Sequence, residues 1–138
     1  MDANARILAD ALAQHVVDRN FAAARELFAP WLQARVAAAE FEGIMDRANE
    51  GLPPPRSWTL DENTVRLDEL RETSRFRAPN APMPAEVTNA NYRGWICVQF
   101  VPDPDNEEGF DSCFDLWIAA VQDGPGCKVG HFLALGAS

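Results

Sequence analysis

Cysteine is scarce in this sequence and never closely paired: Cys97, Cys113 and Cys127 are the full set, with no C-x-x-C among them. Zinc sites usually draw ligands in close pairs, so no metal is expected; an odd thiol count favours a reducing compartment. Basic charge is short as well. Twelve Lys and Arg stand against 21 Asp and Glu, a formal net charge of −9. Such a surface repels phosphate backbones and anionic lipid, which argues against nucleic-acid and membrane-surface partners. No apolar run approaches the length of a bilayer crossing. The opening MDANARILADALAQ has an acid at its second position and no basic n-region, so it does not read as a signal peptide; the expected location is the cytoplasm. A nucleophile elbow, a phosphate-binding glycine loop and a zinc-protease helix are all missing, and Gly124-Pro125-Gly126 reads as a turn. No cofactor is expected.

What is present suits one α+β domain over residues 1–138, with 47% apolar and 24% charged residues. The front half reads as helix. Leu8, Ala11, Leu12, His15 and Val16 recur at three- and four-residue spacing, after Asp2 or Asn4 as a cap. Asn20 breaks that pattern, by a left-handed turn or by capping a second helix that carries Ala24, Leu27 and Phe28 and cannot run through Pro30. Phe41, Ile44, Met45 and Ala48 form the stripe of a further helix, which Gly51 and Pro53, Pro54 and Pro55 terminate. Strand-like runs follow at Arg56–Leu60 and Thr64–Leu70, then a proline-rich loop over Thr73–Ala85. Asn91–Val101, Phe110–Val121 and Lys128–Leu135 read as long antiparallel strands split by turn sequences.

Alternation assigns the sheet two faces. One collects Tyr92, Gly94, Ile96, Val98 and Phe100 with Phe114, Leu116 and Ile118, then His131, Leu133 and Leu135. In the symmetric register Val98 meets Phe114, Ile96 meets Leu116, and Leu116 meets Leu133. The other face gathers Trp95, Trp117 and Phe132 side by side, with Arg93, Cys97, Gln99, Cys113 and Asp115. Three adjacent large aromatics call for a cover, either a two-fold partner, hence a homodimer, or the proline-rich loop.

Helices first, then a proline break, then closing antiparallel strands: this order resembles the NTF2-like superfamily, the cystatin-like cone shared with SnoaL-like proteins and ketosteroid isomerases. The stretch Asn20-Phe21-Ala22-Ala23-Ala24-Arg25-Glu26-Leu27-Phe28-Ala29-Pro30 looks like that fold's short second helix, and Phe110 to Leu135 is similar to its final strand pair. The resemblance implies helices on a curved antiparallel sheet, a cone-shaped pocket between them, and dimerisation through the sheet's other side. It does not fix chemistry, because that fold hosts isomerases, dehydratases and non-catalytic binders.

His131, Tyr92 and His15 are the pocket candidates. A histidine near its ordinary pKa can move protons at neutral pH, and a tyrosine can stabilise an oxyanion; each can equally be a satisfied core or rim residue. No carboxylate points inward in this register, since Asp111 and Asp115 fall on the outer face, so the ketosteroid-isomerase mechanism lacks its base. The acidic stretch Asp103–Gly109 does not match a calcium loop and reads as a solvated turn. The leading expectation is a homodimeric domain that binds a small apolar molecule in its cone. The alternatives are an isomerase- or dehydratase-type enzyme built on a pocket His and Tyr, and an interaction module using its outer sheet face.

Overall fold

A computed structural model describes residues 2–63, 65–72 and 82–136. Asp2 opens α1 (Ala3–Val17) by accepting hydrogen bonds from the amides of Asn4 (2.9 Å) and Ala5 (3.0 Å). Such a cap satisfies donors that every helix leaves free in its first turn. Leu8, Leu12 and Val16 of the expected stripe are buried, with Ala11 and His15 half-exposed at its margin. The left-handed residue that ends α1 is Arg19 (φ 56°), not Asn20. The Asn20 amide bonds to the His15 carbonyl (2.8 Å) and the Arg19 amide to that of Val16 (3.1 Å), a closure that usually employs glycine.

Asn20 instead caps α2 (Phe21–Glu26) through its side chain. α2 stops at Glu26, and Pro30 begins a further helix, α3 (Pro30–Arg35), which the sequence pattern does not resolve; at a first helical position its missing N–H leaves nothing unbonded. Arg25 closes the far end of α3 by donating to the carbonyls of Gln33 (2.7 Å) and Val36 (3.1 Å). Then α4 (Ala38–Ala48) buries Phe41 and Met45, and Gly51 (φ 78°) lets the chain turn away.

Among the described residues four strands, β1 (Pro55–Asn63), β2 (Tyr92–Pro102), β3 (Asp115–Asp123) and β4 (Gly126–Leu135), form an open antiparallel sheet in chain order. Residues 67–70, expected in a strand, belong to the short helix α5 (Leu67–Glu72). Leu67 and Leu70, three apart, are both buried there, and Asp68 and Glu69 suit the helix's positive first turn. Thr64 and most of the proline-rich loop, residues 73–81, lie outside the described residues.

The β2–β3 register pairs Val98 with Leu116 and Ile96 with Ile118. That is two residues from the symmetric expectation, so every side chain keeps its face. At β4 the faces change. Gly130 is an extra residue between the pairs Ala120–Val129 and Ala119–His131, a β-bulge, and beyond it the alternation inverts. Phe132 and Ala134 therefore pair with Ile118 and Leu116 on the helix side, while His131 and Leu133 join Ala119 and Trp117 on the other. A second irregularity, between Tyr92 and Gly94, sets Tyr92 beside Val121 on that same other side. The bulge is held: Trp31 Nε1 donates to the Gly130 carbonyl (2.9 Å), and Val129 exchanges 2.8 Å backbone bonds with Leu27 and Ala29.

Between helices and sheet the centre is filled. Phe41 packs edge-on against Phe28 and Phe132, ring centres 5.1 Å away in each case, over fully buried Leu12, Ile96, Phe100, Leu116 and Ile118. The opposite face is covered by the chain itself, through α5, Met83 and Val87. Arg71 fastens this cover by donating to the carbonyls of Met83 (3.2 Å), Pro84 (3.0 Å) and Val87. Among the described residues no helix is long and apolar enough to cross a membrane.

Candidate functional site: an apolar cleft at one end of the helix layer

Where α1 ends, α4 ends and the Pro53–Arg56 turn passes over both, the filled interior opens into a cleft of about 240 Å³. Its floor is apolar: Val16 from α1, Phe21 from α2, Met45 from α4 and Phe114 from the approach to β3, each no more than 5% exposed. Pro54 and Pro55 form the opposite lip. Four polar side chains reach the lining, Arg19, Asp46, Asn49 and Arg56.

Arg19 is placed there by its unusual backbone. A left-handed non-glycine residue costs on the order of 1–2 kcal/mol, and such strain persists only where surrounding contacts hold it. Here the guanidinium forks onto both oxygens of Asp46 (3.0 and 3.2 Å), reaches Glu42 (3.1 Å) and lies 5.3 Å over the Phe21 ring. The Asp46 hydrogen bond, with the charges of Asp46 and Glu42, holds its pKa above the ordinary arginine value. This group is a fixed rim, its charge answered within the site.

Asn49 has one half of its amide engaged. Its Nδ2 donates to the Pro53 carbonyl (3.1 Å), which orients the side chain, since a flipped amide would set two oxygens together. The other half, Oδ1, is buried and has no hydrogen-bond partner among the described residues. A buried acceptor left this way costs about 1–3 kcal/mol, and a donor supplied to it recovers that cost. Neither Asn49 nor Arg19 stands out in the sequence. Asn49 reads there as an ordinary helix end before Gly51, and the left-handed turn was expected one residue later; the only available signal was a polar residue wedged between a helix stripe and a proline run.

The residues singled out by pattern fall elsewhere. His131, with Leu32, Met83 and Glu86, lines a second cleft of about 440 Å³ on the covered side of the sheet. Tyr92 lines a third, about 430 Å³, an open polar trough with Glu62, Arg66 and Arg93. His15 lines none of these three. No two of them line the same one of these three clefts, and the two bulges carry Tyr92 and His131 to the sheet's other side. Trp95, Trp117 and Phe132 do not form one open face either. Trp95 is 4% exposed and stacks on Trp117 at 5.6 Å beneath α5, while Phe132 stacks on Phe28 at 5.8 Å in the helix-side core. The chain's own cover removes the reason for seeking a partner there.

Burial also quiets the nucleophiles. Desolvation, helped by Asp115 and Asp61, pushes the Cys97 thiol up to about 12, and burial raises Cys113 and Cys127 as well. None is poised as a thiolate. Tyr92 donates to the Val65 carbonyl (2.7 Å), and burial, with the charge of Glu62, pushes its hydroxyl up to about 12. Because the folded value exceeds the ordinary 10, stability present below pH 10 is lost as pH rises from 10 towards 12. Tyr92 is the only tyrosine, so absorbance at the tyrosinate band reports it alone. The expected native midpoint is near 12, falling to about 10 in denaturant; a native midpoint at 10 would contradict the burial of the hydroxyl beside Glu62.

No protein-family model, curated protein or solved structure matches the chain.

Proposed function

We propose that this chain is a small-molecule-binding α+β domain whose site is the cleft between α1, α4 and the Pro53–Arg56 turn. The observation that carries the reading is the buried acceptor Asn49 Oδ1, without a partner among the described residues, on a residue that lines a cleft with an apolar floor. Binding sites typically combine apolar walls with a few placed polar groups. At about 240 Å³ the cleft suits a molecule of one or two rings, smaller than the usual drug-sized ligand. Its chemistry is an apolar body bearing one N–H or O–H donor, admitted as the Pro54–Pro55 lip shifts. The order of elements, helices before a proline break and antiparallel strands, supports the NTF2-like relation, with the cone filled at its centre and open at this end.

The test uses a matched pair of probes, indole and 1-methylindole, which differ in the donor. Calorimetry should give indole about tenfold tighter binding, as a recovered buried hydrogen bond implies. Asn49→Leu should bring the two affinities together by weakening indole alone. Equal affinities in the wild-type protein, or no binding of indole at millimolar concentration, would remove the reading.

A further inference from the structure

β1 departs from regular pairing at its start. Pro55 stands opposite Pro102 and Ser57 opposite Val101, so Arg56 is an extra residue with no counterpart in β2, a further β-bulge. Bulges of this kind bend the strand and re-aim a side chain. Consecutive side chains of a regular strand point to opposite faces, yet Pro55 and Arg56, adjacent in the chain, both line the cleft beside α1 and α4. From Trp58 the alternation resumes, with Trp58 and Leu60 packed against the helix-side core. The bulge thus turns an arginine onto the cleft at the one point of β1 where the register shifts.

Two guanidinium groups and one carboxylate, Asp46, belong to the lining of this cleft. Arg19 takes both oxygens of Asp46 (3.0 and 3.2 Å) and reaches Glu42 (3.1 Å), so its donors are committed within the protein. Arg56 differs. It is exposed, and among the described residues it makes no hydrogen bond and no ion pair. On a chain of net charge −9, an anion is retained only where a cation stands unanswered. A guanidinium offers a planar fork of N–H donors that matches a carboxylate with two parallel hydrogen bonds. Asn49 ends α4 and Arg56 opens β1, so the neutral acceptor and the free fork reach the cleft from different elements.

We infer that the ligand of this cleft is a small aromatic carboxylate, with its ring on the apolar floor, its N–H or O–H donor on Asn49 and its carboxylate held by Arg56. The inference rests on the reading of the cleft as a binding site and adds to it the charge of the ligand and the residue that selects for that charge. Arg19 takes no part in holding the carboxylate; it keeps Asp46 and Glu42 engaged, so that neither acid competes for Arg56.

Calorimetry of the full chain with indole-3-acetate and indole-3-acetamide tests this, because the two share a shape and a ring N–H and differ in charge. At about 0.15 M salt the Debye length is about 8 Å, which screens the net charge while a contacting pair persists. The wild type should hold the acetate about tenfold more tightly than the acetamide, as a charge-assisted pair implies. Arg56→Gln, a change at an exposed side chain, should bring the two affinities together. Equal affinities in the wild type, with indole still bound, overturn this inference alone and leave the cleft as a site for neutral molecules. A preference that survives Arg56→Gln overturns it too, since another cation then reads the charge. If indole and both probes fail to bind at millimolar concentration, the reading of the cleft as a site falls, and this inference with it.

Discussion

Phe41→Ala is expected to cost about 3–5 kcal/mol of folding free energy, measured as a shift in the denaturant midpoint with little change in slope. Phe41 is fully buried, and its ring touches three others: Phe28 and Phe132 at 5.1 Å and Phe21 at 6.0 Å. Phe21 belongs to α2, Phe28 to the segment between α2 and α3 that bridges to Val129, and Phe132 to β4, so no single neighbour can relax into the void without disturbing another part of the fold. Aromatic pairs in edge-to-face geometry add about 0.5–1.5 kcal/mol beyond area burial, which places this position at the upper end of the range. Against a typical total of about 5–15 kcal/mol, the loss is enough to unfold a sizeable fraction near body temperature. A cost below 1 kcal/mol would mean that helices and sheet do not meet through this residue.

Gly130→Ala should be the most damaging single-methyl change. A Cβ at this position would lie 2.7 Å and 3.3 Å from the two methyl carbons of Val121 and 3.1 Å from one of Val87. Val121 and Val87 are both fully buried, so neither can simply turn into solvent. Overpacking of this kind costs about 1–3 kcal/mol. The site is also the bulge that decides which side of the sheet His131 and Phe132 occupy. The methyl is expected to push Val87 off the sheet, and with it the segment that Arg71 fastens over Trp95 and Trp117. Tryptophan fluorescence should then shift to the red and acrylamide quenching should rise before global unfolding. Unchanged emission and stability would show that the covered face is looser than the contacts indicate.

The same two bulges mark where the sequence stops being readable. Within an unbroken strand, period-two alternation assigns faces correctly: Ile96, Val98 and Phe100 face the helices, as do Leu116 and Ile118, even though the pairing is two residues from symmetric. One inserted residue inverts everything beyond it, and an insertion leaves little trace in composition. Gly130 looked like any small residue in a strand, and Tyr92 like the first member of the run it precedes. Helix ends were more legible, because caps are chemical. Asp2, Asn20, Gly51 and the Pro53–Pro55 run act where their side chains predict. The covering α5 was hidden, since Val65, Leu67 and Leu70 fit a strand and a helical turn alike over so short a span. The cleft was not legible at all. It arises where three element ends meet, and Arg19 and Asn49 gain their places from tertiary packing rather than from any local motif.

The most direct test of the binding reading is the side-chain amide signal of Asn49 in a ¹⁵N-resolved NMR titration with indole. A donor that seats on Oδ1 should shift that amide pair, together with the backbone amides of Arg19, Phe21 and Arg56, in a saturable way. 1-Methylindole at equal concentration should leave the Asn49 pair almost unmoved. Saturable shifts centred instead on Met83 and His131, with Asn49 silent, would place the site on the other side of the sheet and contradict the account.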